Sequence, residues 1–157
     1  FDEVERRTAL HRLLDHYLHT VKEVESVRAP YRDSDTPLDP PLPDVVVTGA
    51  ADRDDALAWL ELEKTTVFGM VEHASRHGFP AHTWRLTSWL TSFCGRRGYW
   101  QEALRCHRLA LDSARELDDG GWGAPTWPQE LGGRGAHGLE ALQRDREIQA
   151  EEDEQRS

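Results

Sequence analysis

Two thiols and eight imidazoles are the side chains of this sequence best suited to chemistry. Cys94, Cys106 and His107 all fall in the stretch FCGRRGYWQEALRCHRLAL. A cysteine nucleophile needs a thiolate, a base within hydrogen-bond reach and a third group that orients the base. Neighbouring residues on a helix project about 100° apart, so Cys106 and His107 do not form such a dyad. A hairpin turning at Tyr99 and Trp100 brings Cys94 towards Cys106. Packed, structural thiols are expected there, because free cysteine is among the most buried side chains.

The histidines raise the question of metal. His73 and His77 are four residues apart and His16 and His19 three apart, so each pair can share a helical face as ligands do. Spacing fixes no third ligand for either pair, and the H-E-x-x-H and C-x-x-C patterns are missing from the sequence. The pairs Glu61 and Glu63, and Asp118 and Asp119, lie among other charges, where carboxylates stay solvated and ordinary. Neither G-x-x-x-x-G-K-[ST] nor G-x-S-x-G occurs. The expectation is a chain that is not an enzyme, with no metal centre and no cofactor.

Whatever these residues do, helices must position them. Leu10, Leu13, Leu14, Tyr17, Leu18, Val21 and Val24 recur in steps of three and four. Arg6, Arg7, Arg12, Asp15, Lys22 and Glu23 stand between them, which predicts an amphipathic helix of about 25 residues ended by Pro30. Five of the eight prolines lie between Pro30 and Ala51 and impose an extended connector. Val45, Val46 and Val47 suit either a short edge strand or docking on the helices, and docking is favoured.

Asp52 is an N-cap for a second helix with Asp54 and Asp55 in its first turn. Its apolar face runs through Ala56, Leu57, Trp59, Leu60, Val67, Phe68, Val71 and Ala74. Thr65, Thr66 and Gly69 mark a break in its middle, and Gly78 stops it. Pro80 opens a third helix with Trp84, Leu86, Trp89, Leu90 and Phe93 inside, closed by Gly98. Ala103, Leu104, His107, Ala110, Leu111, Ala114 and Leu117 then form a fourth stripe. So short a connection makes these two helices antiparallel neighbours. Trp59, Trp84, Trp89 and Trp100 are expected to cement the packing.

The fold expected is all-α: a helix over 1–29, a docked connector over 30–51, a helical region over 52–119, and a loop and acidic tail over 120–157. The segment GGWGAPTWPQELGGRGAHG has seven glycines and two prolines in nineteen residues, a composition of loop or disorder. The final stretch is marginally helical at best.

A length of 157 residues is ample for one core. The formal charge of −10 argues against direct nucleic-acid binding. No run approaches the roughly 20 apolar residues of a membrane span, and the first residues lack a signal-peptide core, so a cytoplasmic location with reduced thiols is expected. Phe1 opens directly into a charged helical pattern, which suggests a piece of something longer.

From Trp84 to Leu117 the order of helix, glycine, two residues and helix resembles one tetratricopeptide unit. The residues that carry it are Leu90, Gly98, Trp100, Ala103, Ala110 and Leu111; Thr91, Cys94 and His107 depart from the usual pattern. More broadly, LHRLLDHYLHTVKEVESVRAPYR, the proline-rich connector and the A-L-x-W-L-x-x-E segment (Ala56, Leu57, Trp59, Leu60, Glu63) occur in order across residues 5–119. They resemble the region that follows the NB-ARC module of actinobacterial signal-transduction ATPases, including transcriptional regulators of the AfsR and SARP type. The resemblance implies a non-catalytic helical sensor or scaffold. The ADP- or ATP-binding module of that family lies upstream, and none of its residues are present here. The implied partner is a protein, or the parent's own nucleotide-binding switch module, with self-association through an uncapped repeat face also open. The partner surface expected is an exposed apolar patch on the last helix, from Trp100, His107, Leu109, Leu111 and Leu117. Two rival readings stand beside it: a small metal- or thiol-dependent enzyme using the cysteines and histidines above, and a helical DNA-binding regulator.

Overall fold

The computed structural model describes residues 2–30, 38–119 and 150–156. Among them it is all-α, with α1 (Glu3–Arg28), α2 (Arg53–Arg76), α3 (Pro80–Arg97) and α4 (Trp100–Asp119). Residues 150–156 are also helical and exposed. The Gly/Pro-rich stretch over 120–138 lies outside the described residues.

Several helix ends have a local chemical cause. At the start of α1 the Asp2 side chain accepts from the Glu5 amide at 2.8 Å while Glu5 accepts from the Asp2 amide at 3.3 Å, a reciprocal capping box. Asp52 caps α2 through the Asp55 amide at 2.8 Å. Gly78 and Gly98 both adopt left-handed backbone, at φ +75° and +77°. The following amides reach back to Ala74 O at 2.8 Å and Cys94 O at 3.0 Å, which satisfies carbonyls that the ending helices leave open. Arg7 adds a second closure to α2, donating to His77 O at 2.8 Å and Gly78 O at 3.0 Å. That contact ties the first turns of α1 to the α2–α3 turn.

The break expected at Thr65, Thr66 and Gly69 does not occur; α2 runs unbroken. A helical glycine costs only about 1 kcal/mol relative to alanine. Burial of Val67, Met70 and Val71 on the inner face outweighs that, at about 1.5–3 kcal/mol for each fully covered side chain.

The main core joins all four helices: Leu14, Leu18, Val21 and Val24 of α1, Leu60, Val67 and Val71 of α2, Leu86, Trp89, Leu90 and Phe93 of α3, and Ala103 and Cys106 of α4. α2 touches every other helix, α1 packs on α2 and α3, and α3 has its most extensive contact with α4. Turns of three residues between α2 and α3 and of two between α3 and α4 leave these helices no option but to fold back on each other. Trp59 and Trp100, expected in the core, are half-buried at its margin, whereas Trp84 and Trp89 are inside.

The described part of the connector, 38–51, forms no strand and lies along α1. Val46, 70% exposed, and Val47, exposed as well, do not dock, whereas Val45 is half-buried. Polar side chains of α1 hold the connector backbone: Asp15 Oδ2 accepts from the Leu42 amide at 2.9 Å, His16 Nδ1 donates to Val46 O at 2.5 Å, and Thr20 Oγ1 accepts from the Thr48 amide at 3.3 Å. Leu42 O accepts from the Val45 amide at 3.3 Å across Pro43 and Asp44, with Asp44 in left-handed backbone at φ +67°. Proline followed by a residue of positive φ is the type II turn sequence, and aspartate is one of the few side chains tolerated there.

Candidate functional site

The cysteines come to rest inside the α3–α4 hairpin. Both are free and buried, and burial pushes each thiol up to about 12. A thiol so placed holds almost no thiolate at neutral pH, so neither sulfur is an activated nucleophile. His107 is buried too, and its Nδ1 donates to Ala103 O at 2.7 Å within its own helix. Burial lowers its pKa, which keeps the ring neutral. His107 is thereby corrected from a partner-facing residue to an interior one.

The remaining expected contact residues are half-buried: Trp100, Leu109, Leu111 and Leu117 are neither covered nor open. The large apolar side chains most exposed among the described residues are elsewhere, at Val4, Leu13, Val46, Val47 and Leu62. At the far end of the hairpin Trp84 and Ala110 form a small second core with Leu117 against them. The Trp84 indole N–H is buried there with no acceptor among the described residues. A buried donor left unpaired costs about 1–3 kcal/mol.

The histidine pairs singled out by spacing are not the ones that converge. His73 and His77 are exposed and stack with centroids 5.9 Å apart, while His16 serves the connector. The structure instead brings together His11, Asp15 and His82, one of whose ligating atoms each lies within 4.8 Å of the others. His11 and Asp15 are one turn apart on α1, with Nε2 and Oδ1 separated by 3.6 Å. His82 reaches them from the first turn of α3, its Nε2 at 2.6 Å from the same Oδ1. Phe79, just before α3, packs its ring against His11 at 5.3 Å and His82 at 5.6 Å, and the two imidazoles meet edge-on at 5.2 Å.

Asp15 is the centre of this cluster and is only 5% exposed, although its charge type placed it among the solvated residues of α1. Its position beside Leu14 and one turn before Leu18 carried a signal, because a carboxylate that interrupts an apolar stripe has to find partners. His82, 67 residues away, offered none. The cost of burying this carboxylate is offset by the Leu42 amide on one oxygen and His82 on the other. Burial lowers the His82 pKa against the pull of Asp15.

A cleft of about 240 Å³ opens between Arg28, Arg53, Leu57, Arg96 and Arg97, with Asp54 on its wall. Arg28 is already committed to Glu25 and Ser92, and Arg97 to Glu61. Gly133, Gly135 and Gly138 spell G-x-G-x-x-G, without the strand-forming run that a dinucleotide site places before it. They lie outside the described residues.

No family model, no curated protein and no solved structure matches this chain. Among the described residues, no helix is long and apolar enough to cross a membrane.

Proposed function

We propose that this chain is a non-catalytic helical interaction module, the sensor or scaffold segment of a signal-transduction ATPase or transcriptional regulator. The observation that supports it best is the far end of the α3–α4 hairpin: a buried indole donor without an acceptor among the described residues, flanked by Ala110 and Leu117. Leu111 lies half-buried on the same helix, while Leu109 packs against the main core. Stacked helical repeats bury such faces against the next unit, and an amphipathic helix laid on this end would cover Leu117 and border Leu111. The occupant of this reading is a helix of a partner protein or of an upstream switch module.

A photo-reactive residue placed at Leu111 or Leu117, with Val4 as the control position, tests the reading in a lysate of the native host. The expected outcome is one defined adduct from Leu111 and from Leu117, the former lost on Leu117→Arg, each carrying a nucleotide-binding module or another regulator. Absence of an adduct, or the same products from Val4, would remove the proposal.

A further inference from the structure

We propose that His11, Asp15 and His82 form a binding site for one divalent transition-metal ion, zinc by donor set, that joins α1 to α3. Two imidazoles and a carboxylate are the ligand types of open three-residue zinc sites. Calcium and magnesium prefer oxygen donors throughout. The inference stands apart from the partner-binding reading and uses none of its residues.

The geometry is close to what an ion needs. Bonds of about 2.0–2.2 Å in a tetrahedral shell place neighbouring donor atoms about 3.3 Å apart. The observed separations from Asp15 Oδ1 are 3.6 Å to His11 Nε2 and 2.6 Å to His82 Nε2, and all three donors lie within 4.8 Å. The shorter one is a hydrogen bond, which opens by well under 1 Å when an ion replaces the shared hydrogen. A neutral His82 then carries its hydrogen on Nδ1, a change of tautomer with no net loss of a proton.

The surroundings orient the ligands. The Leu42 amide occupies Asp15 Oδ2 at 2.9 Å and so leaves Oδ1 as the single coordinating oxygen. That is the role second-sphere hydrogen bonds play around metal-bound carboxylates. Phe79 braces both imidazoles from one side. Arg85, the cation that bears on His82, is drawn towards Asp39 at 3.3 Å. Three protein donors leave a fourth position for water or a ligand from another molecule.

The test uses the full chain, freed of metal by chelation and then titrated with zinc chloride and with cobalt(II) chloride. Retention of one equivalent is expected, together with visible absorption of a low-coordinate cobalt centre and a rise in Tm that chelator reverses. His11→Ala should weaken binding at least tenfold and His82→Gln likewise, whereas His73→Ala with His77→Ala should leave it unchanged. His11 makes only ring contacts and a long approach to Asp15, so His11→Ala keeps the experiment decisive if His82→Gln fails to fold. No stoichiometric binding of either metal, or binding that survives His11→Ala, or binding that follows His73 and His77, would overturn the proposal. The cluster would then be a buried hydrogen bond and nothing more.

Discussion

The phenol of Tyr99 donates to Glu61 Oε2 at 2.6 Å, joining the two-residue turn between α3 and α4 to the middle of α2. Lys64 donates to both oxygens of the pair, at 2.9 and 3.0 Å, and Arg97 donates to the other carboxylate oxygen at 2.7 Å. The Tyr99 hydrogen bond, with Lys64 and Arg97, holds the Glu61 carboxyl down at about 2.

A carboxylate with a depressed folded-state pKa stabilises the fold above its unfolded value, near 4.5, and loses that contribution as pH falls towards 2. Solvent reaches this network, so its net contribution is about 1 kcal/mol. Urea denaturation at pH 7 and pH 3 should show Glu61→Gln less stable than the parent at pH 7, with the difference clearly reduced at pH 3. An unchanged difference across that window would disprove the linkage.

Glu25 and Arg28 form a two-pronged ion pair inside α1, at 2.5 and 3.0 Å, and Arg28 also donates to Ser92 of α3 at 3.0 Å. Glu25 is fully buried. Glu25→Ala strands a buried guanidinium and should cost about 3–5 kcal/mol, while Glu25→Leu with Arg28→Met should be close to neutral. Chemical denaturation of the three proteins separates these outcomes.

The glycines divide by backbone. A Cβ added at Gly69 or Gly95 meets nothing within 4 Å, so alanine at either position should stabilise the helix by about 0.5–1 kcal/mol. Gly98→Ala must hold a left-handed backbone at φ +77° and should destabilise by about 1–2 kcal/mol. Thermal melts of the single variants would reveal a reversed sign directly.

Cys94 and Cys106 should resist a maleimide reagent at pH 8 in the native protein and react together once denaturant opens the hairpin. Both are buried and both thiols are raised to about 12. Labelling of either at the rate of an exposed thiol would show that the hairpin opens far more often than its packing implies.

The helices could be read from the sequence because their causes are local. Asp52, Pro80, Gly78 and Gly98 act within a few residues of themselves, and the periodic stripes need no knowledge of the partner face. The continuity of α2 past Gly69 escaped because it depends on what Val67 and Val71 pack against. The cluster at His11, Asp15 and His82 escaped for a related reason: the i, i+4 half was written in α1, but only the packing of α3 on α1 supplies the third residue. Reading Asp15 as a solvated charge hid one of the positions where α1 breaks its own pattern, as buried Thr20 and Glu25 also do.

The anchors of the connector fall in ascending order on both partners, Leu42 on Asp15, Val46 on His16 and Thr48 on Thr20. From Leu42 onward the chain therefore runs beside α1 in the same direction. A single long closure becomes several short ones, and the entropy of closing a loop grows with its length. Since two of the three anchors bind backbone amides, α1 cannot lift away without stripping acceptors from the segment beside it. Helix and strap are one cooperative unit, which gives the three prolines at 40, 41 and 43 a second meaning. They stiffen the strand of chain that would otherwise absorb any slack.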